Sequence, residues 1–437
     1  MEAEGMPIML KRKWKAKKKR KRKMMRIMTN KVNRKKIYAM KRLGFAAFLL
    51  SLTFTLHAQK GDLSKSDMIK LDFKTLAVSK EKIKANDAAV MPAYQQLIKD
   101  ADKALKFKAV SVTDKTDVPP SGDKHDYMSI GPYWWPDPSK PGGVPYMRKD
   151  GEVNPEVKNF PDKENLPKLC ENVYNLSLAY YFSGNEEYAK HASKLVKVWF
   201  LDSATAMNPN LKFGQAIKGI TEGRAEGLIE ARHLIFLLDG VELLKSSENF
   251  KEGKQKKLKK WMSAFLDWME TSKIGIDEKE AKNNHGVWYD ATALALAIYT
   301  GEKEIANKTV KDAAERLDAQ MDDKGYFPLE LARTTSLHYT AFVLDAFTII
   351  AQLSENTNTD FWKLKTKSNK SLEKGYEALF PHLAGAKEWT WQQIKPFTMS
   401  NSYQLLWKAS TKYNCTSCKD IIKKSANGYD QRLINLL

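Results

Sequence analysis

The chain is poor in cysteine. Three occur in 437 residues: Cys170, Cys415 and Cys418. So few exclude a disulfide framework as the organiser of the fold. Cys415-Thr-Ser-Cys418 has C-x-x-C spacing, but no second pair exists to complete a zinc site. The pair reads as a local disulfide or as two free thiols. Strand-like alternation of apolar and polar residues is scarce, and no strict sequence repeat is found. No carboxylate pair of the glycosidase kind stands out. From about residue 60 onward there is no Pro/Gly-rich linker long enough to separate domains, so 59–437 reads as one domain.

Charge is plentiful but unevenly placed. Residues 1–42 hold 18 Lys/Arg and two Glu, which is +16 of the net +21, and +5 remains for the rest. Nucleic-acid binding would therefore rest on a terminal tail, not on a folded basic face. No charged residue lies between Arg42 and Lys60. Lys41-Arg42, the apolar run Leu43 to Leu56, and Ala58 after His57 form the n-region, h-region and small cleavage residue of a signal peptide. The run is short of the ~20 residues that a spanning helix needs. The expectation is removal of 1–58, a periplasmic location and no stable membrane anchor. Met28 and Met40 are alternative starts. No Cys follows the h-region, which argues against lipid anchoring.

With hydrophobic residues at 43%, the chain can build a sizeable core. Helical spacing marks residues 86–106, through Met91, Tyr94, Leu97, Ile98, Ala101 and Leu105. Residues 110–168 collect prolines, glycines and aromatics and read as a long irregular segment, the kind that tends to be functional. After Pro167 helices are expected near 169–183, 186–200, 224–244, 255–270, 286–300, 303–321, 336–353 and 400–412. Breaks are expected at Ser183-Gly184-Asn185, Asp239-Gly240 and Thr300-Gly301. The fold expected is all-α, an α/α toroid or incomplete barrel of antiparallel helix pairs carrying a long Pro/Gly/aromatic-rich loop.

Five clusters could carry chemistry. His125-Asp126-Tyr127-Met128-Ser129 leads into Gly131-Pro132-Tyr133-Trp134-Trp135-Pro136. Aromatic faces beside Gly and Pro in a loop suit sugar rings, though the same bulk could plug a core. Asn283-Asn284-His285-Gly286 precedes an apolar helix, and capping alone would explain one Asn. Glu330 and Arg333 precede His338-Tyr339, which opens another apolar helix. Arg224 precedes a segment with Glu230, Arg232 and His233. Glu388-Trp389-Thr390-Trp391-Gln392-Gln393 is a further aromatic-polar cluster.

Together HDYMSIGPYWWPDP, NNHG, E-x-x-R followed by L-H-Y, and EWTWQQ resemble the alginate lyase superfamily, helical lyases that cut mannuronan or glucuronan. The resemblance covers roughly residues 85–410, and the first and last pieces look closer to the glucuronan-type branch. It implies β-elimination of a 4-linked uronate. Neutralising the substrate carboxylate stabilises the enolate-like intermediate, and Asn284 and Arg333 stand at the matching positions. A base must take the C5 proton and an acid must protonate the C4 oxygen. In D-mannuronate and D-glucuronate these lie on one side, so Tyr339 could serve both steps if it starts as phenolate. A free tyrosine has a pKa of ~10, so it needs help, which Arg333 and His285 could give. His285 assists Tyr339 or replaces it as base. Candidate substrate contacts are His125, Tyr127, Tyr133, Trp134, Trp135, Arg224, His233, Glu330, Trp389, Trp391 and Gln392. The expected partner is an anionic polysaccharide, with no metal or other cofactor required. Two rivals stand: a glycoside hydrolase using an acidic pair from Glu222, Glu230 and Glu330, and a non-catalytic carbohydrate-binding envelope protein.

Overall fold

The structure, a computed structural model, describes residues 69–425 and, ahead of them, Lys19 and Lys21. The expected signal peptide lies outside the described residues. Residues 69–425 all fall in one compact unit.

Helix α1 (Phe73–Lys84) was not legible in the sequence. It starts where the Asp72 side chain accepts from the Lys74 N–H. Helix α2 (Met91–Ala104) turns Ala93, Leu97, Ala101 and Ala104 into the core, within the expected 86–106. The long segment that follows is irregular, as expected. It holds three short strands, β1 (Met128–Ile130), β2 (Trp134–Trp135) and β3 (Met147–Arg148), with β2 and β3 antiparallel.

Helix α3 (Asp162–Ser183) starts before Pro167, not after it. Pro167 sits inside the helix, where it removes one backbone donor. What holds this early start is distant in sequence. Asp162 is fully buried, pairs with Lys115 at 2.9 Å and accepts from the Met128 N–H at 3.1 Å. Helix α4 (Glu186–Val196) follows a left-handed Gly184, and ends in a π turn, Lys197–Leu201. Strand β4 (Phe213–Ala216) then returns to pair in parallel with β1.

A 3₁₀ segment (Ala225–His233) leads into α5 (Leu234–Leu243). The break expected at Asp239-Gly240 is absent. Gly240 lies inside α5 against α3, where a Cβ would stand 3.2 Å from the Tyr174 Cα. Asp239 is buried and accepts from the Ile69, Lys70 and Leu71 N–H groups at 2.9–3.2 Å. Both residues serve packing rather than a turn. The chain continues through α6 (Glu252–Thr271), α7 (Lys273–Lys279), α8 (Asn284–Thr300), α9 (Lys303–Gln320), α10 (Pro328–Leu331), α11 (Ser336–Ser354), α12 (Leu372–Leu383), α13 (Tyr403–Lys412) and α14 (Thr416–Ser425).

Helices joined by tight turns pack as pairs, α3 with α4 and α8 with α9, and the pairs close into an α/α toroid. Helices α8 and α11 pack on each other and are buried around most of their circumference. A helix apolar all round belongs inside. Helix α11 is long and apolar enough to cross a membrane, and here it is a core helix, 78% buried. Cys415 and Cys418 form a disulfide at the start of α14.

Candidate active site

The first turns of α8 and α11 meet strands β2 and β3 and the residues just before β2 at one cavity. Helix α11 has no side-chain cap of its own. Its first N–H groups are met from the 392–393 strap: Ser336 N donates to the Gln392 carbonyl at 3.1 Å and Leu337 N to Gln393 Oε1 at 3.0 Å. This is what a helix start requires when no local cap exists. It fixes Tyr339 one turn along. The Tyr339 hydroxyl accepts from Arg333 Nη2 at 2.7 Å and donates to the Tyr133 hydroxyl at 3.0 Å. The guanidinium also lies over the Tyr339 ring, 3.6 Å from its centroid.

Arg333 is itself held by Asp150, with Nη2 at 2.6 Å and Nε at 3.1 Å from the carboxylate. Burial alone would raise the Asp150 carboxyl. The hydrogen bonds from Arg333 and the Thr334 N–H outweigh it and hold the group well below the usual carboxylate range. Among the described residues Nη1 of Arg333 has no hydrogen-bond partner. From the sequence, Arg333 is expected to lower the Tyr339 pKa. Arg333 does act in that direction, but burial, together with the Tyr133 hydroxyl, wins and pushes Tyr339 well up. Tyr339 therefore rests as a protonated phenol.

Helix α8 opens with Asn283 as cap, its side chain accepting from the His285 N–H at 3.1 Å. Asn284, one position on, is thereby free for another task. It is fully buried, and its N–H and Nδ2 donate to the two oxygens of Glu330 at 2.6 and 2.9 Å. Its Oδ1 has no partner in the protein. His285 points Nδ1 at Glu278 Oε1, 2.7 Å away. Gly286 is required by close approach: a Cβ there would lie 2.3 Å from both Ala281 O and Arg316 Nη1. Arg316 ties the α7–α8 turn together by donating to Ala281 O and Lys279 O while pairing with buried Asp290.

The cavity these groups share measures about 400 Å³. Its wall includes Tyr133, Trp134, Arg148, Lys163, Gln215, Arg224, Glu226, Glu230, Arg232, Asn284, His285, Arg333 and Tyr339. Five cations thus face two carboxylates. A second cavity of about 520 Å³ shares Tyr133, Arg232, Tyr339 and Phe342, and adds Val153, His338, Asp345 and Phe397. A third, about 440 Å³, shares Arg148, Glu226, Asn283, His285 and Arg333. The three make one groove with Tyr339 and Arg333 near its middle. Among the described residues no cluster of three or more His, Cys, Asp or Glu is placed to hold a metal ion.

The chain matches the alginate lyase family over residues 111–389. A crystal structure of an alginate lyase from Bacteroides ovatus is 38% identical with a TM-score of 0.80, covering 85% of this chain and 99% of that one. The chain belongs to the alginate lyase family. It is a polysaccharide lyase, a carbon–oxygen lyase. A histidine-to-alanine variant of alginate lyase A1-III, complexed with a tetrasaccharide, is 13% identical with a TM-score of 0.50, covering 80% of this chain and 97% of that one. That likeness is one of fold. No curated protein matches the chain.

The groove of this lyase brings together Asn284, His285, Arg333, Tyr339, Tyr133, Trp134 and Arg224. Other expected substrate contacts lie elsewhere, each for a visible reason. Trp135 follows Trp134 in β2, and successive strand residues face opposite ways. It donates to the Glu152 carbonyl and carries Lys149 over its ring at 5.2 Å. Tyr127 is wholly buried and donates to Glu230 at 2.7 Å. His125 is tied to the Ala206 carbonyl. His233 lies outside the cavity, where burial, with Arg232 adding to it, pulls its pKa down to about 3. Glu330 sits beneath Asn284 rather than against a sugar. Trp389 donates to Ser336 Oγ, Trp391 packs on Tyr326 and His382, and Gln392 supplies a backbone carbonyl to Ser336. Trp389 and Gln392 thus brace the start of α11, and Trp391 packs behind Trp389.

The hydrolase reading finds no acidic pair here. Glu330 is engaged by Asn284, Glu230 by Tyr127, Ser129 and Lys163, and Glu222 is exposed and off the cavity. Sequence reasoning missed Asp150, Glu278, Arg148, Lys163 and Gln215. Asp150 stands in a Lys-Asp-Gly turn and Glu278 in the charged run Asp277-Glu278-Lys279-Glu280, so neither carried a signal against that background.

Proposed function

We propose that this lyase cleaves a 4-linked uronate polymer of glucuronan or alginate type by β-elimination, leaving a 4,5-unsaturated end. The observation that carries the reading is a cavity in which Asn284, His285, Arg333 and Tyr339 converge under an excess of cations. Such a wall suits a polyanion. Asn284, through the amide proton that Glu330 leaves uncommitted, and Arg333, through Nη1, neutralise the carboxylate of the sugar that loses its C5 proton. Tyr339, protonated at rest, delivers a proton to the C4 oxygen as the glycosidic bond breaks. His285, on the same cavity wall, takes the C5 proton. Atoms balance: one proton leaves carbon, one reaches the leaving oxygen, and no water is consumed. Tyr133 and Trp134 offer ring faces to the sugars on either side.

The purified protein should raise ultraviolet absorbance on at least one of mannuronan, guluronan, glucuronan and glycosaminoglycans. New reducing ends without absorbance would favour hydrolysis, and no new ends would favour a binding protein. We place the enzyme in the periplasm, exported through the 43–56 apolar run and cleaved after Ala58. The Cys415–Cys418 disulfide supports an oxidising compartment. Amino-terminal sequencing of envelope-extracted protein tests this, and a retained Lys/Arg tract would refute it.

A further inference from the structure

We infer that Glu278 is a positioning residue for the elimination: it holds His285 in the tautomer protonated at Nδ1, so that Nε2 meets the substrate as a lone pair. The inference rests on the lyase reading above and adds to it the group that makes His285 a base.

Three observations carry it. First, Glu278 Oε1 lies 2.7 Å from His285 Nδ1, while among the described residues Nε2 has no partner, and the ring lines the cavity with Tyr339. The tautomer of a histidine follows the hydrogen bond made by its other nitrogen. Among the described residues His285 is the one imidazole with a carboxylate at this range. His125 and His191 bond to backbone carbonyls, His338 meets Gln393, and His382 meets Tyr326.

Second, among the described residues the Glu278 carboxylate bonds to His285 and to nothing else. Glu278 is 1% exposed and its Oε2 is buried without a partner. It also occupies the last turn of α7, where the helix dipole disfavours an acid. A buried carboxylate with one oxygen orphaned at the wrong end of a helix is a cost to stability. Third, the imidazole is fixed from two sides: its own backbone N–H is held by Asn283 at 3.1 Å while Glu278 holds its ring. The ring cannot swing to exchange its nitrogens without breaking the buried contact.

Charged neighbours also face the pair. Arg224 and Glu226 come from the segment before α5, Arg148 from β3, Arg333 from beyond α10, and Asp277 and Lys282 from the α7–α8 turn. Burial is the largest influence on Glu278 and raises its carboxyl, with Glu226 acting the same way, against the opposing pull of His285 and Arg224. What Glu278 supplies is direction: an acceptor fixed at Nδ1 leaves Nε2 as the nitrogen that faces the groove.

The test has two arms. Nitrogen NMR of the substrate-free protein should show neutral His285 protonated at Nδ1. Glu278→Gln should shift it toward the Nε2–H form, because an amide can donate to Nδ1. With the best uronan, Glu278→Gln should lower kcat about 10²–10⁴-fold, the range of a lost general base, with KM nearly unchanged. Glu278→Asp should recover some of the rate. A purely structural role would lower melting temperature and folded fraction but leave the tautomer in place. Wild-type His285 in the Nε2–H form, or an unchanged tautomer in Glu278→Gln, overturns the inference. Failure of wild type on every uronan would instead sink the lyase reading, and the NMR arm would still decide the tautomer.

Discussion

Tyr339→Phe separates chemistry from packing more cleanly than any other change at this site. The ring stays, and with it the stacking against Arg333 at 3.6 Å. Only the hydroxyl goes, with one hydrogen bond accepted from Arg333 and one donated to Tyr133. A net intramolecular hydrogen bond contributes roughly 0.5–1.5 kcal/mol. The guanidinium is not stranded, because Asp150 still holds Nη2 at 2.6 Å and Nε at 3.1 Å. The stability loss from the two bonds should therefore be about 1–3 kcal/mol, a shift of several degrees at most in a melting scan. The rate should respond far more. A general acid is worth ~10²–10⁴-fold, or ~2.7–5.4 kcal/mol of barrier at 1.36 kcal/mol per decade. The assay is the initial rate of ultraviolet absorbance on the best uronan, with circular dichroism on the same sample. A variant that keeps near-full elimination activity would refute the assignment, and the proton to O4 would then come from another group. Loss of helicity in proportion to loss of rate would also refute it, by making Tyr339 a packing residue.

Trp134→Ala should raise KM with folding intact, whereas Trp135→Ala should leave KM alone, because only Trp134 lines the cavity; equal effects in kinetic assays would undo that division. Asp162→Asn should cost roughly 3–5 kcal/mol in denaturant titration, since it leaves the Lys115 ammonium buried without its counter-charge. Gly286→Ala should yield little soluble protein, as its Cβ would sit 2.3 Å from Ala281 O and Arg316 Nη1; normal expression and melting temperature would contradict the packing described. Asp150 is depressed in the folded state, so its contribution is complete above the unfolded value of ~3.9 and fades as pH falls below it; Asp150→Asn should lose stability near neutrality and show a shallower decline in acid.

Helices were legible where periodicity and stop residues agreed. Helices α8, α9 and α11 fall within a residue or two of their expected spans, because a buried helix bounded by Gly or by polar turns leaves both signals in the sequence. Five helices went unseen, one of them the four-residue α10. Helix α1 has three buried positions in twelve residues, and α7 is only seven residues long. Helix α12 carries Pro381 near its end, and α14 follows a C-x-x-C pair that reads as a loop. The early start of α3 is of another kind. Its cause, Lys115 reaching Asp162 across 47 positions, is a tertiary contact that no local window contains.

The site was legible in its reacting groups and illegible in what stands behind them. Asn284, His285, Arg333 and Tyr339 sit in short strings whose composition is unusual for a helix start. Their supports do not. Each of the first three is backed by one acid: Glu330 behind Asn284, Glu278 behind His285, Asp150 behind Arg333. In sequence Glu330 reads as a substrate contact, and the other two are hidden in charged runs. The pattern has a physical logic. A cavity built to hold a polyanion must be rich in donors and cations, and such groups repel one another and turn toward any water they can reach. A carboxylate placed on the far side of each draws one hydrogen bond backward and leaves the forward-facing atom in a fixed direction. Pre-orientation of this sort lets electrostatic stabilisation act without reorganisation during the reaction. It also accounts for the placement of the aromatic cluster at Trp389 and Trp391, which reads as a sugar platform in sequence. That cluster braces the start of α11 and thereby aims Tyr339, which is the same task performed by packing instead of charge.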